Sequence, residues 1–143
     1  MTETFADTLH VVKRIHRIVQ ETNEPICELG FKAEDPRTGL QLPKYWLPEP
    51  IKELLVAEHE RPDEEKLHIA LVKYFNPYGA ATWYISEYDP EQDAFFGHCD
   101  LGIPHMSELG YVSNKELRET RAPPFNMPLE RDLWFKPKLL EEC

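Results

Sequence analysis

The N-terminal part of the chain carries an amphipathic pattern. Between Phe5 and Val19, apolar residues fall at positions 5, 9, 11, 12, 15, 18 and 19. In a helix they cover about half of the wheel, and the basic residues at positions 10, 13, 14 and 17 lie opposite. We therefore predict an amphipathic helix over about residues 4–20. Its apolar side either packs on the protein's own core or binds a partner.

The segment from residue 24 to residue 66 is less regular. Its turn signal is Asp35-Pro36-Arg37-Thr38-Gly39, and a short edge strand at 29–31 would precede it. Pro48 and Pro50 suit the first turn of a short helix that continues through Ala57. The charged residues 58–66 predict a loop.

Three consecutive segments rich in aromatic and β-branched residues predict an antiparallel meander. They are residues 67–75, 80–88 and 94–101. The links between them, 76–79 and 89–93, are short enough for hairpins. These loop lengths place a buried Trp83 opposite Val72 and Cys99, and Ile85 opposite Gly97.

Two further elements complete the predicted fold. The capping box Ser113-Asn114-Lys115-Glu116 predicts a short helix that ends near Arg121, and Leu133-Trp134-Phe135 predicts a last short strand. The expected fold class is α+β: a small antiparallel meander sheet with an N-terminal amphipathic helix and two short helices packed on it. The length of 143 residues fits a single domain over residues 1–143.

Composition restricts the partners. The chain has 16 Lys and Arg against 26 Asp and Glu, a formal net charge of −10. This charge disfavours direct binding to a phosphate backbone, and it is compatible with a basic protein partner or with mimicry of a nucleic acid. Cys27, Cys99 and Cys143 are odd in number and widely spaced, which favours a reducing cytoplasm. We expect no signal peptide and no membrane span.

A set of motifs in one order resembles a known bacterial family. The motifs are Asn76-Pro77, Thr82-Trp83-Tyr84, Phe95-Phe96-Gly97, Asp100-Leu101-Gly102, Glu108-Leu109-Gly110-Tyr111-Val112-Ser113, Glu116-Leu117 and Leu129-Glu130-Arg131-Asp132-Leu133-Trp134-Phe135-Lys136-Pro137. From about residue 42 to residue 140 the chain resembles the family called domain of unknown function 2958. Its members are often carried on plasmids and other mobile elements. The resemblance implies this context without implying an activity.

Few residues carry candidate chemistry. In a strand, His98 and Asp100 share one face, and with His105 they have the types of a 2-His-1-carboxylate metal set. An ordinary polar strand end is the favoured interpretation, so no metal and no cofactor is assigned. Glu130 and Arg131 are binding candidates. Arg131 either forms an internal ion pair or clamps an anionic ligand.

Three functions are compatible with the sequence. The leading hypothesis is a non-enzymatic accessory or regulatory protein of a mobile element that binds another macromolecule, with a protein favoured. The second is a small hydrolase or nuclease-like enzyme whose site combines Tyr84, His98, Asp100 and Arg131. That hypothesis requires the four side chains to converge in one cleft. The third is an acidic mimic of nucleic acid, built from the carboxylates of residues 53–65 and 87–93.

Overall fold

A computed structural model describes residues 5–22, 46–103 and 107–143, with side chains in the first segment from residue 10 onward. The predicted N-terminal helix, α1, spans Phe5–Thr22. The second helix, α2, spans Glu49–Glu60, with Pro48 as its N-cap and Pro50 in its first turn. The third, α3, spans Asn114–Glu119, and the backbone N–H of Glu116 donates to Ser113 Oγ at 3.2 Å. The predicted N-cap at Ser113 is thereby confirmed. The possible edge strand at 29–31 lies outside the described residues.

Nine short strands are described. They are β1 Ile69–Ala70, β2 Val72–Phe75, β3 Thr82–Asp89, β4 Ala94–Asp100, β5 Ser107–Ser113, β6 Arg121–Ala122, β7 Met127–Pro128, β8 Glu130–Arg131 and β9 Lys138–Leu139. Five form an antiparallel sheet in the order β5-β4-β3-β2-β8, and β1-β9 and β6-β7 form two-stranded ribbons. The α+β fold class is confirmed.

The predicted register is confirmed for one hairpin and wrong for the other. Between β3 and β4, Trp83 pairs with Cys99, and Ile85 pairs with Gly97. Between β2 and β3, however, Val72 pairs with Ile85 instead of Trp83. The connecting loop has six residues, 76–81, closed by a 3.0 Å hydrogen bond from the N–H of residue 76 to the carbonyl of residue 81. The two-residue slip preserves the predicted faces of β2 and of residues 82–85 in β3. Beyond Ile85, a bulge places Tyr88 on the same inner face as Ile85. The bulge offsets a one-residue shift at the turn, where Asp89 pairs with Ala94.

The core lies between the helices and one face of the sheet, which we call the inner face. It gathers Val19 of α1, Leu55 of α2, and the strand residues Tyr74, Ile85 and Phe95. Such burial stabilises the fold by roughly 25 cal/mol for each Å² of apolar surface removed from water. The inner face thus fixes where both longer helices pack.

Trp46, just before α2, joins distant parts of this core. Its ring stacks on Tyr74 with the ring centres 4.0 Å apart, and its Nε1 donates to Asn114 Oδ1 at 2.7 Å. The Tyr74 hydroxyl in turn donates to the Trp46 carbonyl at 2.5 Å. One aromatic side chain therefore connects the approach to α2 with the sheet and with α3.

Two sequence predictions are wrong at the periphery. Trp83 is half-buried and packs at the margin of the core, so it is not the central tryptophan. Residues 133–135 form a turn rather than a strand, because Asp132 Oδ1 accepts the N–H of Trp134 at 2.9 Å. The strands near this turn are β8 before it and β9 after it. Hydrophobic residue types suggested a strand there, but Asp132 stabilises a tight turn instead.

Candidate functional site

Two of the predicted site residues meet on the side of the sheet opposite the core, which we call the outer face. Tyr84 pairs across the strands with His98 and with Lys73. The rings of Tyr84 and His98 stack with their centres 6.1 Å apart. The centre of the Phe135 ring lies 5.9 Å from the centre of the Tyr84 ring. Because cross-strand partners share a face, this aromatic group is fixed by strand register.

Cations flank the Tyr84 ring. The Nζ atoms of Lys73 and Lys138 lie 5.7 and 5.5 Å from its centre, within cation–π range. Lys73 is also 3.5 Å from Asp132 Oδ2. Burial raises the pKa of the Tyr84 hydroxyl, and the nearby Lys138 partly opposes this rise. The phenol is therefore protonated at neutral pH and can act as a hydrogen-bond donor.

His98 and Asp100 share the outer face but have different surroundings. His98 Nδ1 is buried and has no hydrogen-bond partner among the described residues. Asp100 Oδ1 accepts the N–H of Gly102 at 2.8 Å, and so closes the turn that follows β4. His105 lies outside the described residues. Within residues 5–22, 46–103 and 107–143, no three His, Cys, Asp or Glu side chains form a group that could hold a metal ion.

Arg131 lies on the other side of the sheet. It pairs with Tyr74, whose side chain belongs to the inner core, and it is only 4% exposed. Burial lowers the pKa of its guanidinium, and the neighbouring Tyr74 hydroxyl opposes this change. Glu130, also buried, pairs with Phe75. The structure therefore brings Tyr84, His98 and Asp100 to one face and places Arg131 on the other.

This position makes a structural role for Arg131 testable. We expect Arg131→Ala to lower the free energy of unfolding by about 1–3 kcal/mol, because truncation leaves the buried Tyr74 hydroxyl without the neighbouring guanidinium. Thermal unfolding of the variant beside wild type measures the loss, with Lys136→Ala at an exposed position as control. An Arg131 variant that melts like wild type would refute this role.

A groove lies on the outer face beside strand β5. It has a volume of about 510 Å³. Most of its lining is apolar, and the sheet contributes Phe96, His98 and Leu109, whereas Leu139 and Cys143 come from the C-terminal segment. Ligand pockets are typically about 300–1,000 Å³ and mainly apolar. This groove, rather than a polar catalytic cleft, is the feature that His98 faces.

Strand β5 leaves two large apolar side chains exposed next to the groove. It is the outermost strand of the sheet and is paired on one side, with β4, in the part of the chain that the structure describes. Leu109 is 60% exposed, and Tyr111 is 62% exposed while its ring packs 5.1 Å from that of Phe96. A sheet edge with exposed apolar residues is a template for another chain.

Leu109 and Tyr111 belong to the sequence motifs that resemble the family, and those motifs alone do not indicate an exposed edge. The sequence predicts no element over 107–113, although Leu109 and Tyr111 are spaced by two residues as on one face of a strand. Gly110 and the surrounding polar residues obscured that period. The alternation at positions 109 and 111 was nevertheless the signal that could have identified β5.

Two carboxylates of the predicted acidic stripe are buried in internal contacts. Glu58 accepts the backbone N–H groups of Leu67 and His68, each at 2.9 Å. Glu87 is buried as well, and its Oε1 lies 2.7 Å from Lys66 Nζ. Neither group is available as an exposed phosphate-like charge.

A third carboxylate of that stripe, Asp93, belongs to a hydrogen-bond network at the end of the sheet. Its Oδ1 accepts the Tyr88 hydroxyl at 2.6 Å and Asn114 Nδ2 at 2.9 Å. Burial, together with this hydrogen bond and the charge of Asp93, raises the pKa of Tyr88 to about 12. These contacts tie the β3–β4 hairpin to α3, so Asp93 serves the fold.

Cys99 does not lie in a reactive environment. It is half-buried on the inner face beside Trp83, and burial raises the pKa of its thiol, helped by the charges of Glu108 and Asp100. A raised pKa keeps the thiol protonated and poorly nucleophilic at neutral pH.

Fold and outer face together define an α+β domain with an exposed sheet edge and an adjoining apolar groove. Residues 47–140 match the family of proteins of unknown function DUF2958, and the chain belongs to this family. The matched segment begins at residue 47, just before α2, and does not include α1. Neither a curated protein nor a solved structure matches the chain. Among the described helices, none has the length and apolar character needed to cross a bilayer.

Proposed function

We propose that this protein is a non-enzymatic accessory protein of a mobile genetic element that acts in the cytoplasm by binding another protein. The observation that carries the proposal is the exposure of Leu109 and Tyr111 on the outermost strand, beside a groove lined mainly by apolar residues. Apolar anchors next to an available sheet edge suit an extended segment of a partner chain.

Charge and residue placement support the same proposal. The net charge of −10 favours a partner with basic residues around its apolar anchors. The sheet separates Arg131 from Tyr84, His98 and Asp100, which favours binding over catalysis by these four residues. The mobile-element context rests on the resemblance to DUF2958, and restriction, toxin or conjugation genes beside this one would support it.

Affinity capture from a bacterial lysate tests the binding function. Wild type is compared with Leu109→Asp, which places a charge at the groove, and with Phe125→Asp. Phe125 is a matched control, because it is exposed and contacts Tyr78, a residue that does not line the groove. We expect wild type and the Phe125 variant to capture the same protein and the Leu109 variant to capture at least tenfold less.

Two results would contradict the proposal. One is the absence of any reproducible partner with wild type. The other is equal capture by the Leu109 and Phe125 variants, because binding would then not involve the groove. Matching melting curves for the three proteins ensure that differences in capture do not reflect unfolding.

A further inference from the structure

A second cavity lies where α1 packs against α2 and the first strands. Its volume is about 280 Å³, and we call it the interhelical cavity. Its apolar walls come from three elements: Val11, Ile15 and Ile18 of α1, Leu54 of α2, and Ile69 of β1. Apolar walls of this kind favour a ligand that has an apolar part.

Two arginines border the same cavity. Arg14 and His10 of α1 line it and are exposed, and Arg61 lines it just after α2. Among the described side chains, Arg14 makes no ion pair. Arg14 is therefore a cation that an anionic ligand at this cavity could pair with.

The carboxylate that lines this cavity is already engaged. Glu58 accepts the N–H groups of Leu67 and His68, each at 2.9 Å, and its Oε1 lies 3.4 Å from Arg61 Nε. Because Arg61 pairs with Glu58 and two backbone N–H groups also donate to this carboxylate, Glu58 is engaged, and Arg14 remains as the lining cation without an ion pair among the described side chains. The remaining polar group, the Ser86 hydroxyl, is neutral and donates to the Phe96 carbonyl at 3.4 Å.

From this combination we infer that the interhelical cavity binds a small amphipathic anion, with an apolar tail between α1 and α2 and a carboxylate head at Arg14. An arginine can hold a carboxylate through two parallel N–H···O bonds. The volume lies just below the usual range for ligand pockets, about 300–1,000 Å³, which favours a short tail. The cavity and the outer-face groove share Leu67 in their linings, but Arg14 and the other α1 residues line the cavity alone, and α1 lies outside the family match. It therefore does not depend on the proposed function.

Calorimetric titration with octanoate tests the inference on the full chain. We expect saturable binding to one site, with octan-1-ol and octylammonium at least about tenfold weaker because they lack the anionic head. Arg14→Gln should weaken octanoate at least about tenfold. The matched control is Arg17→Gln, which removes an exposed arginine of the same helix that does not line the cavity.

A second variant tests the location of the tail. Ala57 is exposed and lines the cavity, so Ala57→Phe can obstruct the cavity without disturbing the buried core. We expect this variant to lose octanoate binding and to keep the melting temperature of ligand-free wild type. The inference is overturned by any of three results: no saturable octanoate binding, equal affinity for octan-1-ol, or unchanged binding in the Arg14 or Ala57 variant.

Discussion

Trp46→Ala is expected to lose about 3–5 kcal/mol of unfolding free energy, the usual cost of truncating a buried tryptophan. Trp46 is 1% exposed, stacks on Tyr74 with ring centres 4.0 Å apart, and donates to Asn114 Oδ1 at 2.7 Å. The variant therefore creates a cavity and leaves the Asn114 carbonyl without this donor. Thermal unfolding should show a melting temperature lower by roughly 10 °C or more.

The other tryptophans provide graded controls for this result. Trp134 is 80% exposed, so Trp134→Ala should leave the melting temperature almost unchanged. Trp83 is half-buried at the margin of the core, so Trp83→Ala should fall between the two. If Trp83 proved more costly to remove than Trp46, the position of the core described above would be wrong.

Gly97→Ala is expected to cost about 3 kcal/mol or more, at the upper end of the range for overpacking. A Cβ atom at this position would lie 1.9 Å from the Tyr84 carbonyl oxygen and 2.9 Å from Ile85 Cα. Both atoms are backbone atoms of β3, and the pairing of β3 with β4 holds them in place. The clash can be relieved only by moving a strand. Chemical denaturation would measure the loss as a lower midpoint.

Gly110 is the matched control for Gly97, because the two glycines are cross-strand partners in β4 and β5. A Cβ atom at Gly110 meets nothing within 4 Å. Gly110→Ala should therefore be neutral, or more stable by up to about 1 kcal/mol, because alanine has less backbone freedom to lose on folding. Equal destabilisation by both substitutions would show that the close approach at Gly97 is not the cause.

Local patterns were sufficient for the elements whose causes are local. The helical period predicted α1, the prolines at 48 and 50 predicted the start of α2, and the capping box predicted α3. Each of these features depends on contacts within a few residues, which a single sequence can encode.

Other features were missed or misassigned, either because a local turn differed from the predicted one or because distant contacts decided them. The 76–81 loop is stabilised by its own hydrogen bonds, and this moved the β2–β3 register by two residues. An Asp132 turn replaced the predicted strand at 133–135. The candidate site changed for a similar reason: Arg131 pairs with Tyr74, so it lies across the sheet from Tyr84 and His98.

The sequence by itself determined the fold class, the helices, three strands of the meander and the family. Only the tertiary structure decided that Trp46 rather than Trp83 is the central tryptophan, that β5 is an exposed edge, and that Arg14 lines the cavity between α1 and α2. The physical reason is range. Periodicity and capping act within one or two turns of chain, whereas the Trp46–Asn114 hydrogen bond joins residues 68 positions apart and depends on how the elements pack.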